Sequence, residues 1–234
     1  MSKKVYILWM IALSVIFILL LPYIYEIFRI IFLNPKISII DQLSLYQWAA
    51  VGFVAYGIFH KYVSFNLEWL ETDSHEKIHG IVGWLFGRRI HSAHSEEGSG
   101  CIYTSGNNFW SRWGMLPMSL APYCLPLWTY SILWLRPLIG YQNLWTFDIL
   151  IGITLAFHYF CFKAQTRSNQ TDINQYPLSF SYAYIYLARI INGLIVTVMF
   201  FPQSDSMIYP VIRLVKALAI NLNMYIAQLI GFLE

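Results

Sequence analysis

Two histidines four residues apart, with a glutamate after the first, stand in an otherwise apolar stretch. The stretch is DSHEKIHGIVGWLFGRR, residues 73–89. On an α-helix, positions i and i+4 share a face, with Cβ atoms roughly 5–6 Å apart. His75 and His79 can therefore reach one ion from one side. Imidazole nitrogen is a good zinc ligand. Glu76 sits about 100° around the helix, too far round to be an equivalent ligand. It is placed instead to act on a water beside the ion, the logic of the HExxH pattern. Glu68, Glu71, His75 and His79 also fall on one helical stripe, where the acids could orient the imidazoles.

A catalytic zinc needs a third protein ligand and an open position. Asp172, in NQTDINQYP beside Gln170, is the leading candidate, followed by His158 in LAFHYF and Asp148 in LWTFDIL. Each has a structural alternative: Asp172 and Asp148 as helix-start residues, His158 as a hydrogen-bonded core histidine. His91 and His94 follow the motif; they would line a substrate groove or stand in solvent.

The elements that must position these groups are strongly apolar. The chain has 234 residues, 58% hydrophobic, 18% aromatic and 12% charged, against about 25% charged in soluble domains. An all-α polytopic membrane protein is the expected fold, its partner the lipid bilayer. A net charge of +3 forms no basic face, so nucleic acid is not an expected partner. Three scattered cysteines, Cys101, Cys124 and Cys161, indicate neither a disulfide framework nor a thiolate zinc site. Lys3 and Lys4 precede a run too long for a signal peptide and followed by Pro22, so a retained anchor is expected.

Six or seven hydrophobic segments are predicted, at about 5–33, 45–64, 65–87, 114–139, 145–163, 178–201 and 207–232. The motif lies on the third. Residues 88–108 are rich in Gly and Ser and partly alternating. They predict a short β-hairpin or re-entrant loop after the motif helix, with Gly98 or Gly100 in the turn. One transmembrane domain is expected over 1–234: N-terminal spans in 1–64, the motif-bearing core in 65–200 and a final hydrophobic segment in 201–234.

With these segments in order, the chain resembles the site-2-protease family of intramembrane zinc metalloproteases, in its small bacterial branch. The matching stretches are His75-Glu76 with His79, LFGRRIHSAH (85–94), EEGSG (96–100), SLAPYCLPLW (119–128) and AFHYFCFKAQTRSNQTDI (156–173). They cover roughly residues 70–200. In place of the Asp-Gly element of better-known branches stands Gln170-Thr171-Asp172. The resemblance implies Zn2+ held by His75, His79 and a distal acid, with Glu76 as the base. It implies hydrolysis of a membrane protein or peptide substrate, in a multi-pass protein of the bacterial inner (plasma) membrane. Oligomeric state is left open.

Two other classes fit some of the same residues. His75…His79 and His91…His94 are similar to the histidine boxes of membrane di-iron lipid oxidoreductases, although the five histidines at 75, 79, 91, 94 and 158 are fewer than those enzymes use. In a non-catalytic membrane protein with a degenerate site, Asp73 or Ser74 would cap an exposed helix and the histidines would lie on its surface. Lys77 fits that exposed helix. The hairpin offers a test of the hydrolase. An extended substrate segment can add a strand to it, satisfying backbone groups that a helix had hidden. Replacing residues 96–104 with a flexible linker should abolish cleavage of a membrane substrate, followed by gel assay, while bound zinc is retained.

Overall fold

The computed structural model describes residues 3–32, 46–63, 67–135, 144–166 and 169–200, with isolated positions 223 and 227. The chain opens with α1 (Lys3–Phe32), α2 (Gln47–Tyr62) and α3 (Leu67–Leu85). A hairpin follows, β1 (Arg89–Glu96) and β2 (Ser99–Ser105). Then come α4 (Phe109–Trp113), α5 (Met115–Cys124), α6 (Leu127–Leu135), α7 (Leu144–Gln165), α8 (Thr171–Asn174) and α9 (Leu178–Phe200).

The expected six or seven hydrophobic segments are corrected by this architecture. Among the described residues, two helices are long and apolar enough to cross a membrane, Trp145–Gln165 and Leu178–Thr197. For α1 (Lys3–Phe32), the apolar stretch among the described residues is Val5–Leu19, and Pro22 lies further along the helix. The other apolar runs fall short for local reasons. The 16 residues of α2 rise only about 24 Å. In α3 the carboxylates of Glu68, Glu71, Asp73 and Glu76 interrupt the apolar character. The run at 114–139 is cut in two. Pro126 has no backbone N–H, and Leu125 before it adopts extended φ/ψ of −98° and 108°, the conformation a following proline favours. The segment at 207–232 lies outside the described residues apart from positions 223 and 227. Nor is the fold all-α, since it contains a two-stranded sheet.

In that sheet, β1 and β2 run antiparallel, with Glu96 opposite Ser99 and His94 opposite Cys101. Gly98 makes the turn at φ 73°, a left-handed conformation that costs glycine little. The register slips between Ile90 and Ser92, leaving His91 in a bulge. The hairpin lies on α3 because that helix is bare there. A Cβ on Gly80 would come within 2.9 Å of Ile102 Cδ1.

At the centre lies α5. Leu116 and Leu120 are fully buried, and Tyr123 is 1% exposed. They pack with Leu13 of α1, Ile173 of α8, and Tyr184, Ile185 and Ala188 of α9. On its other side, Ala121 meets Ile78 and Val82 of α3. The motif helix and the Asp172 turn are thus brought to one apolar core from opposite sides. Asn108 starts the preceding turn, its Oδ1 accepting from Ser111 N at 2.7 Å.

The most extensive helix pair is α2 with α7. A Cβ on Gly52 would overlap the Ile149 carbonyl, and one on Gly152 would overlap the Ala49 carbonyl. The two backbones touch because both glycines lack a side chain. Gly152→Ala should therefore destabilise the fold by about 1–3 kcal/mol, read as a lowered Tm in detergent. Gly193→Ala, where a Cβ meets nothing within 4 Å, should leave the Tm unchanged or raised.

Candidate metal centre

The motif residues lie well inside α3. This helix runs from Leu67, so Asp73 and Ser74 are interior positions and not N-caps. His75 is 8% exposed, Glu76 8% and His79 3%, which excludes surface histidines. Lys77 points the other way. Its side chain is 57% exposed and its ammonium pairs with Asp73 at 2.6 Å, one turn back, so it places no charge in the core.

The i, i+4 spacing brings the two imidazoles to 4.6 Å between centroids, edge to face. Both Nε2 atoms converge on one oxygen: Asp172 Oδ2 is 3.3 Å from His75 and 3.2 Å from His79. Asp172 reaches them from α8, a single turn whose Ile173 is fully buried. The Ile173 carbonyl accepts from Ser181 Oγ at 2.8 Å. Tyr123 of α5 also donates to Asp172 Oδ2, at 3.4 Å. Burial opposes ionisation of Asp172, but the two imidazoles beside it, His75 and His79, outweigh that and hold the carboxyl below the usual carboxylate range.

The opposite ring nitrogens decide what the site can hold. His79 Nδ1 donates to the Met118 carbonyl at 2.7 Å, and a carbonyl can only accept. His75 Nδ1 faces Gln165 Oε1 at 2.8 Å. With protons on Nδ1, a neutral imidazole leaves only a lone pair on Nε2. Three lone pairs would then face one another, an arrangement that requires a cation between them or extra protons on the rings. His75, His79 and Asp172 offer three ligand atoms within 4.8 Å of one another, and they could hold a metal ion.

Glu76 lines the adjoining cleft and has no hydrogen-bond partner among the described residues. The cleft has a volume of about 970 Å³, near the upper end for ligand sites. The hairpin tip forms part of its wall. A Cβ on Gly100 would lie 2.6 Å from Glu76 Cγ, and one on Gly98 would lie 2.7 Å from Glu68 Oε1.

Other expected residues fall elsewhere. His158 takes no part in the cluster: its Nε2 lies 3.5 Å from Arg189 Nη1, so a guanidinium faces the atom a metal would need. Asp148 is buried on α7 and is also outside the cluster. His94 is exposed and paired with Glu96 at 2.9 Å, and His91 bonds Ser105 at 2.7 Å. Gln170 lines the cleft and sits at the N-cap of α8 without capping through its side chain. The acidic stripe does not orient the imidazoles. Glu71 turns to His60 Nε2 at 3.2 Å, whose ring stacks on Phe160.

Gln165 fills the role expected of that stripe. It was not legible in the sequence, being 90 residues from His75 and marked only by the end of an apolar run. The main-chain carbonyl of Met118 carries no residue-type signal at all. Trp128 adds support by donating to Ser74 Oγ at 2.6 Å.

The chain matches no family model, no curated protein and no solved structure. Its chemistry is read from the site itself. Groups that orient a metal-binding histidine typically contribute 10–100-fold to affinity. Gln165→Ala should lower the affinity of this centre for a divalent metal ion by about that factor, measured by chelator competition on the purified protein. Gln165→Glu, which keeps an acceptor, should preserve it.

Proposed function

We propose that the protein is a membrane-embedded zinc metallopeptidase of the site-2-protease type, hydrolysing peptide bonds of membrane proteins or peptides. One observation carries this reading. Two buried imidazoles from an HExxH helix converge on a distal aspartate, with the motif glutamate unpartnered in a cleft beside them. A structural site closes its coordination with protein ligands, whereas a catalytic one keeps a position open. Three ligands with an adjoining cleft fit the second case.

Membrane embedding is supported by the outward faces of the helices. Only 28% and 33% of the two long apolar windows are buried, whereas a soluble core helix would be mostly buried. Val54, Ile58, Leu150 and Ile190 are among the large apolar side chains left exposed. A lipid environment removes that penalty. We assign the chain to a multi-pass location in a bacterial plasma membrane on this basis and on the motif resemblance.

In the proposed reaction His75, His79 and Asp172 hold the ion, and Tyr123 and Gln165 keep two of those ligands oriented. Zinc held there supplies Lewis acidity and brings the pKa of water toward about 7. Glu76 takes the proton from the attacking water and returns it to the leaving amine. Among the described residues no hydrogen bond competes for its carboxylate oxygens, which leaves them available for that transfer. The hairpin edge supplies backbone groups for an extended substrate.

A di-iron oxidoreductase is not favoured, since His91 and His94 lie exposed on the hairpin with other partners. Mass spectrometry of the purified protein should find close to one zinc per chain. His79→Ala and Asp172→Ala should lose the metal, and His158→Ala should retain it. Glu76→Gln should keep zinc but lower peptide hydrolysis by roughly 10²–10⁴-fold. Wild-type protein without zinc would overturn the reading.

A further inference from the structure

The cleft is lined by four carboxylates, Glu68, Glu71, Glu76 and Asp172, and by a single lysine or arginine among the described residues, Arg88. Arg88 leaves the end of the motif helix and turns back under the hairpin. Its Nε donates to Thr104 Oγ1 at 2.9 Å, Nη2 to the Thr104 carbonyl at 3.4 Å and Nη1 to the Ser111 carbonyl at 3.2 Å. All three acceptors are neutral. No carboxylate pairs with Arg88 among the described residues.

These bonds use three of the five guanidinium N–H groups. One N–H remains on each terminal nitrogen, two donors suited to a carboxylate or similar oxyanion. The group is also half-buried and held in place, so little side-chain freedom is lost when a ligand binds. It stands close to the metal centre. Met118 accepts from His79 through its carbonyl, and its sulfur lies 3.9 Å from Thr104 Oγ1, the same oxygen that receives Arg88 Nε. The far wall has the opposite sign, with Glu68 against the hairpin turn and Glu71 paired to His60.

We propose that Arg88 is a specificity-determining residue of this cleft and takes a carboxylate carried by an extended peptide on the hairpin-base side of the metal centre. This rests on the peptidase reading above. An unpaired, partly desolvated cation beside a built cleft is stabilised by a ligand anion. The anion is either an acidic side chain or a free C-terminal carboxylate, and the probes below separate the two.

The test uses the full chain in detergent, carrying Glu76→Gln so that bound peptide is not turned over. Fluorescent Ala/Ser peptides carry one Glu walked along the sequence. Each has a Gln counterpart, and each is made with a free and an amidated C-terminus. Anisotropy should show one Glu position, or the free C-terminus, binding about tenfold tighter than its neutral counterpart. Arg88→Gln should erase that preference, and Arg88→Lys, which keeps the charge and loses the fork, should retain part of it. Zinc content reports whether each variant is folded, and the wild-type preference is itself a test that needs no variant. Equal binding of charged and neutral peptides overturns the proposal, as does a preference that survives in zinc-loaded Arg88→Gln. Binding of phosphatidylglycerol through Arg88, without peptide discrimination, overturns it in favour of a lipid headgroup. Charge-selective binding, combined with a zinc-loaded protein retaining Glu76 that hydrolyses no peptide, unseats the peptidase and keeps Arg88. Hydrolysis indifferent to peptide charge does the reverse.

Discussion

Asp172 Oδ2 lies 3.3 and 3.2 Å from two imidazole nitrogens, and the electrostatics of that convergence govern the centre of the molecule. His79 is the more constrained ring, because its other nitrogen faces a backbone carbonyl that can only accept. A positive charge, metal or proton, is required where three acceptors meet. The three elements involved, α3, α5 and α8, are held in register by that requirement as well as by their apolar contacts. Tyr123 serves both purposes: its ring is buried in the core while its hydroxyl reaches Asp172.

Around that point the packing is organised to keep one side dry and the other open. Leu116, Leu120 and Ile173 seal the side toward α1 and α9 without exposing any surface. The opposite side is a cleft, and the hairpin approaches it through residues that lack side chains. Gly98 and Gly100 let the tip rest against Glu68 and Glu76, and Gly80 lets its isoleucines rest on α3. Carboxylates therefore face backbone along one wall. Arg88, fixed between Thr104 and Ser111, is the one lysine or arginine among the described residues that line the cleft.

Among the described residues, the apolar composition overstated the number of long spans. A run of hydrophobic residues is the same signal whether the chain crosses a bilayer, breaks at a proline or turns into a buried core. The stretch at 114–139 does the last two. Pro126 divides it, and its first half, α5, is the most buried element among those described. The two helices that are long and apolar enough to cross a membrane among the described residues, in α7 and α9, flank the turn bearing Asp172. Gln165, at the end of the first of these, reaches the same site from the other side of His75.

The local parts of the site were legible in the sequence because they depend on helical geometry alone. The spacing of His75, Glu76 and His79 determined that two imidazoles share a face and that the glutamate stands a third of a turn away. The Gly- and Ser-rich run of 88–108 likewise marked a break from helix with a turn at Gly98 or Gly100, and the structure puts it at Gly98. Asp172 and His158 could not be separated by sequence, since both are polar groups beside apolar runs. Tertiary structure decided between them by setting Arg189 against the His158 nitrogen and turning Asp172 onto both imidazoles. It also assigned Gln165 and the Met118 carbonyl to the ring nitrogens, and Glu71 to His60 rather than to the motif. Such pairings join residues 11 to 97 positions apart. They follow from how helices pack around α5, and packing at that range leaves no periodic trace in the chain.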